Sequence, residues 1–279
     1  MRILCVGLAT VDLIQRVERL PGPDEKVQSA SVEVAAGGPA ANAAVTAAAL
    51  GAEVTLVTAV GAHPLGDLIR ADLTAHGVTL IDADPDTAEP PPVSAVTVLS
   101  ATGERSIVSR NAGNRAVRVP ERGLPEADLT LADGHHPVLA AAAARAARRL
   151  LVDAGSWRPI FAEIFRYAEV VACSADFRHP DAADQSDEST ARAVAAPHVV
   201  VTHGAGPVRW FSDATTSGSI EVPRVTAADT AGAGDAFHGA LAVALAGNDD
   251  LKTAIAYAIR VAGIRVAHPG PRAWLAHLR

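Results

Sequence analysis

Lysine is almost missing from this chain: its 279 residues hold only Lys26 and Lys252, and neither follows a glycine-rich loop. A Walker-type phosphate loop needs Gly-Lys-Ser/Thr, so the P-loop nucleotide-binding proteins are excluded. Cysteine is equally scarce. Cys5 and Cys173 lie far apart, each in an apolar run, which predicts buried thiols in a reducing cytoplasm. With no Cys-x-x-Cys, zinc is not expected, and His135-His136 reads as a loop pair. No apolar run reaches the roughly 18 residues that span a bilayer, so no membrane partner is expected. Residues 1–7 are apolar, but Asp12 interrupts them and no convincing small-residue cleavage site follows, so they read as a buried strand. A net charge of −7 without a basic stripe argues against nucleic acid.

What is present points to a folded globule. Hydrophobic residues make up 49% of the chain and mean hydropathy is +0.20. The length suits one large domain spanning 1–279. Short apolar runs at 3–7, 54–59, 129–132, 150–153, 169–173 and 198–202 read as strands. Alanine-rich stretches at 40–50, 65–76, 138–149, 159–167 and 188–196 read as helices. Strand and helix alternating at this spacing predict an α/β fold with a parallel sheet covered on both faces. Ligands in such sheets gather at the carboxyl ends of the strands, and Asp12, Gly37-Gly38 and Gly61 all follow strand-like runs. Two segments break the pattern. Residues 14–36 carry Leu-Pro-Gly-Pro and an alternating tract, and 93–109 read as a hairpin turning at Ala101-Thr-Gly-Glu104. Together they predict a small second sheet, inserted at about 13–36 and 93–110.

The most informative run is Asp229-Thr-Ala-Gly-Ala-Gly-Asp235-Ala-Phe-His-Gly-Ala240. Glycines 232 and 234 let backbone N–H groups converge, and the helix that follows adds its free N–H groups and positive dipole end. That combination holds an anion. A carboxylate beside an anion hole is repelled by its occupant, so Asp235 makes sense as a base that deprotonates a hydroxyl attacking a held phosphoryl group. A glycine turn with a capping Asp is the plainer reading of Gly-x-Gly-Asp alone. Asp-Thr-Ala-Gly has no second copy to make an aspartic-protease dyad, and Gly-x-Gly this late is no dinucleotide fingerprint. Upstream, Gly37-Gly38-Pro-Ala-Ala-Asn42 opens a helix. Its glycines permit close backbone approach, and Asn42 offers both donor and acceptor to a polyol.

The twelve-residue run closely resembles the C-terminal signature of the ribokinase-like (PfkB) carbohydrate kinases, and residues 37–45 with Gly61 and Gly66-Asp67 resemble the N-terminal one. The stretches around Gly37 and at 237–246 look most like the sulfofructose kinase branch, and the chain start also resembles ketohexokinase. The resemblance implies a three-layer α/β/α sandwich with the small sheet as a lid over the sugar, often the dimer interface. It implies ATP with Mg²⁺ as donor and a small-molecule sugar as acceptor. Asp12, Gly37, Gly38, Asn42 and Asp235 would bind substrate. Asp235 would act as base over Gly232, Ala233 and Gly234, and Thr202, Gly204, Gly206, Ala231, Gly232 and Gly234 would border the nucleotide. The Asn-x-x-Glu box of many members is replaced by Ser174-Ala-Asp176-Phe, so the metal-orienting residue is unknown. A monovalent cation such as K⁺ beside Asp229, as in some relatives, stays open. Nucleoside kinases need an aromatic stack on the base, and residues 11–36 and 88–115 hold no Phe, Tyr or Trp. A ketohexose or related sugar is therefore expected, with ribose behind it. Lys26, Arg105, Arg110 and Arg115 read as solvated lid charges. His135 stands where the sulfosugar enzymes carry an arginine.

Overall fold

The computed structural model describes residues 1–113, 115–184, 186–213 and 215–278. The larger sheet has nine strands. In chain order these are β1 (Arg2–Val6), β4 (Glu53–Thr58), β5 (Val78–Asp82), β8 (Leu129–Ala132), β9 (Leu150–Ala154), β10 (Val170–Ser174), β11 (His198–His203), β12 (Gly206–Ser212) and β13 (Thr216–Ile220). Spatially they run β13-β12-β11-β10-β9-β8-β1-β4-β5. The seven strands from β11 to β5 are parallel, and β12 and β13 add an antiparallel edge.

Both faces of the parallel strands are buried, and side chains alternate between two cores. Ile3 and Cys5 of β1 face one side while Leu4 and Val6 face the other. Likewise Val170 and Ala172 of β10 oppose Val171 and Cys173, as period-two geometry requires. The first face is covered by α1 (Pro39–Ala49), α2 (Pro64–Ala75), α6 (Ala233–Ala246) and α7 (Leu251–Ala267). The second is covered by α3 (Pro137–Ala146), α4 (Phe161–Ile164) and α5 (Asp187–Val194). This is the three-layer α/β/α sandwich expected. Both cysteines are free and buried, and burial pushes the Cys5 thiol up to about 12.

A second sheet of four strands, ordered β3-β2-β6-β7, stands apart. It comprises β2 (Thr10–Val17), β3 (Ser31–Gly37), β6 (Val93–Leu99) and β7 (Arg105–Ser109). The expected hairpin at 93–109 is there. Asp12 follows β1, as expected, and lies inside β2, opposite Ala35 of β3. The turn out of β1 is short enough that β2 leaves for the small sheet at once.

The strand order reverses between β1 and β8, where a fork opens at the carboxyl edge. Asp133, just past β8, closes it. Its buried carboxylate accepts from the backbone N–H of Leu8 (2.8 Å), Ala40 (3.2 Å) and His135 (2.9 Å). Burial opposes its ionisation, but His135 and the N–H donors outweigh burial and hold the carboxyl well below the usual range. Asp133→Ala strands those donors in the core and is expected to cost on the order of 3 kcal/mol, read as a lower urea midpoint.

Candidate active site

Asp235 stands in the first turn of α6, whose N-terminal residue Gly232 has φ +69° and ψ 11°. That left-handed conformation favours glycine. A Cβ there would come into ordinary contact with Asp235 Oδ2, Arg265 Nε and Asn42 Nδ2 at 3.7–3.8 Å, whereas one on Gly234 would meet nothing within 4 Å. No side chain caps α6, which leaves its start suited to an anion.

From α1, Asn42 donates its Nδ2–H to Asp235 Oδ2 at 2.8 Å. Asp12 lines the same cleft, together with Asn42, Ala231, Gly232, Arg265 and Arg272. Asp12 Oδ1 accepts from Thr10 Oγ1 at 2.6 Å, and burial raises its carboxyl against the opposing pull of Thr10, Ser94 and Arg272. The glycine pair makes the arrangement sterically possible. A Cβ on Gly37 would fall about 2 Å from the Asp12 carboxylate, and Gly38, at φ +93°, would place one 2.5 Å from the Leu8 carbonyl. Asp12, Asn42, Ala231 and Gly232 thus line one cleft, with Gly37 packed against Asp12 and Asp235 bonded to Asn42 at its edge.

Thr202, Gly204 and Gly206 are placed differently. Thr202 is the last residue but one of β11, its hydroxyl 3.5 Å from the Cys173 carbonyl; Gly204 lies in the tight turn that follows, and Gly206 opens β12. Among the described residues no hydrogen bond ties this turn to 231–235, although both lie at the carboxyl edge of the sheet.

Several neighbours of Asp235 escaped the sequence reading. Asp153, at the end of β9, is buried, and its Oδ2 pairs with His238 Nδ1 at 3.0 Å. His238 is three residues beyond Asp235, hence on the same face of α6. Burial works against its protonation, but Asp153 overrides burial and raises it. A charged residue ending the buried run Leu-Leu-Val-Asp-Ala, and a histidine at i+3 from the motif carboxylate, were the available signals. Arg265, on the apolar helix α7, is 4% exposed and lies 3.3 Å from Asp229, itself 1% exposed. Arg272 carried no sequence signal. The charges read as solvated divide. Arg105 of β7 donates to Thr230 O (3.0 Å) and Oγ1 (3.1 Å). Arg115 is instead half-buried, its Nε donating to Asp84 Oδ2 at 2.8 Å. His135 and His136 lie in the loop between β8 and α3, as expected, but they are not solvated: His136 is buried, and His135 Nε2 is 2.6 Å from Arg158.

These surroundings set the charge state of Asp235. Burial first, then Asp153, push its carboxyl up to about 6, against Asn42, His238 and Arg105. A base with that value sits near the working pH, where proton abstraction is most effective.

The model of the pfkB family carbohydrate kinases matches residues 1–277. The chain belongs to that family. Among curated relatives of this carbohydrate kinase, the ribokinase of Bacillus subtilis is 28% identical over 97% of this chain and 94% of its own length. An ATP-dependent ribose-1-phosphate kinase from Halopiger xanaduensis is 29% identical over 98% and 94%. The structure of Arabidopsis thaliana ribokinase complexed with ribose and ATP superposes with a TM-score of 0.74 at 22% identity, covering 100% of this chain and 98% of that one. The sheet-and-sandwich architecture is therefore ribokinase-like, and the enzyme is a sugar kinase. Among the described residues, no helix is long and apolar enough to cross a membrane.

Proposed function

We propose that this kinase transfers the γ-phosphoryl group of ATP to a primary hydroxyl of a small sugar. The observation that carries this reading is the 2.8 Å contact from Asn42 to Asp235, made in a cleft shared with Asp12 and the start of α6. Asp12, acceptor-only when ionised, suits two neighbouring hydroxyls, and Asn42 can bond a third. Asp235 takes the proton of the attacking hydroxyl. The N–H groups of 231–234 and the dipole of α6 would hold the terminal phosphate and spread its charge. ATP would supply the phosphoryl group and bring Mg²⁺, which would neutralise charge on its phosphates. The Thr202–Gly206 turn, further along the same edge, would border the nucleotide. Because both relatives named above are ribose-type kinases, ribose moves ahead of the ketohexose expected from sequence.

The small sheet would act as a lid, with a second copy on its outer face. Val32 and Val34 on β3 and Val108 on β7 share one face of the sheet and are 50–78% exposed, more apolar surface than a solvated face needs.

The test is coupled ADP release across a panel of pentoses and ketohexoses. Sugar-dependent release supports the reading. Measurable sugar binding with no release from any sugar would make the chain a silent sugar-binding protein. The acid limb of kcat/KM is expected near pH 6, because Asp235 must lose its proton to act and activity falls as pH drops through its value.

A bound K⁺ fits poorly. The Asp229 carboxylate is already met by Arg265 at 3.3 Å, Arg16 at 3.7 Å and the N–H groups of Ala231 (2.9 Å) and Gly270 (3.2 Å). The resident guanidinium charge leaves a monovalent cation little to neutralise there. Replacing K⁺ by choline at constant ionic strength is expected to leave ATP affinity, measured calorimetrically, within about twofold; this is an affinity ratio close to zero in free energy.

A further inference from the structure

Asn42 can present either end of its amide to Asp235, and only one end helps a carboxylate. The observed orientation is not left to chance. Arg272 Nη1 donates to Asn42 Oδ1 at 3.2 Å, so the amide's NH₂ must face the other way, toward Asp235 Oδ2. A flipped amide would set two donors against each other at Arg272 and two acceptors at Asp235. Arg272 is held in turn. Its Nε and Nη2 reach Asp72 Oδ2 of α2 at 3.2 and 2.8 Å, and Nη2 also donates to the Ala36 carbonyl of β3 at 2.6 Å. Asp72 also accepts from the Ala36 N–H at 3.1 Å. The guanidinium is 15% exposed and every bond uses its planar fork.

We infer that Arg272 is a positioning residue for phosphoryl transfer, acting through Asn42 to fix which oxygen of Asp235 is occupied and which is left for the sugar. The inference rests on the kinase reading for its consequence, but not for its measurement. Oδ2 is committed to Asn42, which leaves Oδ1 for the incoming hydroxyl. The groups acting on Asp235 are Asp153 from β9, His238 on its own helix, Arg105 from β7, Arg265 from α7 and Asn42 from α1. Arg272 acts on Asp12 as a charge. The hydrogen-bond chain Arg272–Asn42–Asp235 is the route by which it orients the amide on the Asp235 carboxylate.

The experiment follows the Asp235 carboxyl by ¹³C NMR titration, assigned against Asp235→Asn, in the intact protein. It compares Arg272→Met, Arg272→Lys, Asn42→Leu and the Arg272→Met/Asn42→Leu pair. Arg272→Met is expected to raise the Asp235 midpoint by about one pH unit, and Asn42→Leu to do the same, since each removes the donor from the charged form. The double variant should match the single ones, because residues acting in series are non-additive. Arg272→Lys, which keeps the charge but not the fork, should behave like Arg272→Met. The acid limb of kcat/KM should move with the midpoint, and Asp12, read separately, reports the direct charge effect. An unchanged Asp235 midpoint in Arg272→Met, wild-type behaviour of Arg272→Lys, or shifts that sum in the double variant would each overturn the inference. If no sugar is turned over, the kinase reading fails while the titration still decides this one.

Discussion

Asp235→Asn is expected to lower kcat by roughly 10²–10⁴-fold, the range that a lost general base accounts for. Sugar affinity should change little, because Asp12, Asn42 and the glycine turn are untouched. The same substitution should make the protein more stable at neutral pH. The Asp235 carboxyl is raised from 3.8 to about 6 by burial and by Asp153. Between those values the folded state holds a proton that the unfolded chain has released, so ionisation of Asp235 works against folding as pH rises through the window. Asparagine removes that cost. A gain of up to about 3 kcal/mol is expected above pH ~6, vanishing below pH ~4. Paired denaturation curves at the two pH values, beside steady-state kinetics, check both halves. Loss of turnover together with loss of stability at neutral pH would mean that Asp235 is structural.

Asp229→Ala is expected to be the most damaging change to the fold near the site. Asp229 is 1% exposed and faces Arg265, which is 4% exposed. Burial presses the Arg265 guanidinium toward neutrality, and Asp229 is the main group restoring its charge. Removing the carboxylate leaves a buried cation unpaired and frees the N–H groups of Ala231 and Gly270. A loss of about 3–5 kcal/mol follows. Replacing both partners with apolar groups, Asp229→Leu with Arg265→Met, should recover much of it, since the penalty is for the stranded charge. Urea unfolding of both variants at equal m-value gives the comparison. The single variant should also bind ATP more weakly, because Asp229 shapes the turn that sets Gly232 in its left-handed conformation.

Much of this was legible in the sequence because the relevant signals are local. Short continuous apolar runs marked the central strands, and Gly-x-Gly-Asp before an alanine-rich run marked the start of α6. The Ala101–Glu104 turn marked the hairpin of the small sheet. Other elements were missed for physical reasons. β12 and β13 form an edge hairpin whose exposed face is polar, as in Thr-Ser-Gly-Ser-Ile, so they lack the continuous apolar run of the central strands. β5, at the opposite edge, is mostly half-buried. The charged groups around Asp235 were hidden because tertiary contacts assemble them. Arg272 and Asn42 are 230 positions apart, and no periodicity links them. Arg115 looked solvated because its partner Asp84 is found only by the fold.

The central claim is that Asp235 shares one pocket with backbone amides able to grip a terminal phosphate. A crystal structure with ribose and a non-hydrolysable ATP analogue tests it most directly. The account predicts the sugar's primary hydroxyl in hydrogen-bond contact with Asp235 Oδ1, and the terminal phosphate on the N–H groups that open α6. A terminal phosphate seated elsewhere, with Asp235 touching neither sugar nor nucleotide, would contradict it.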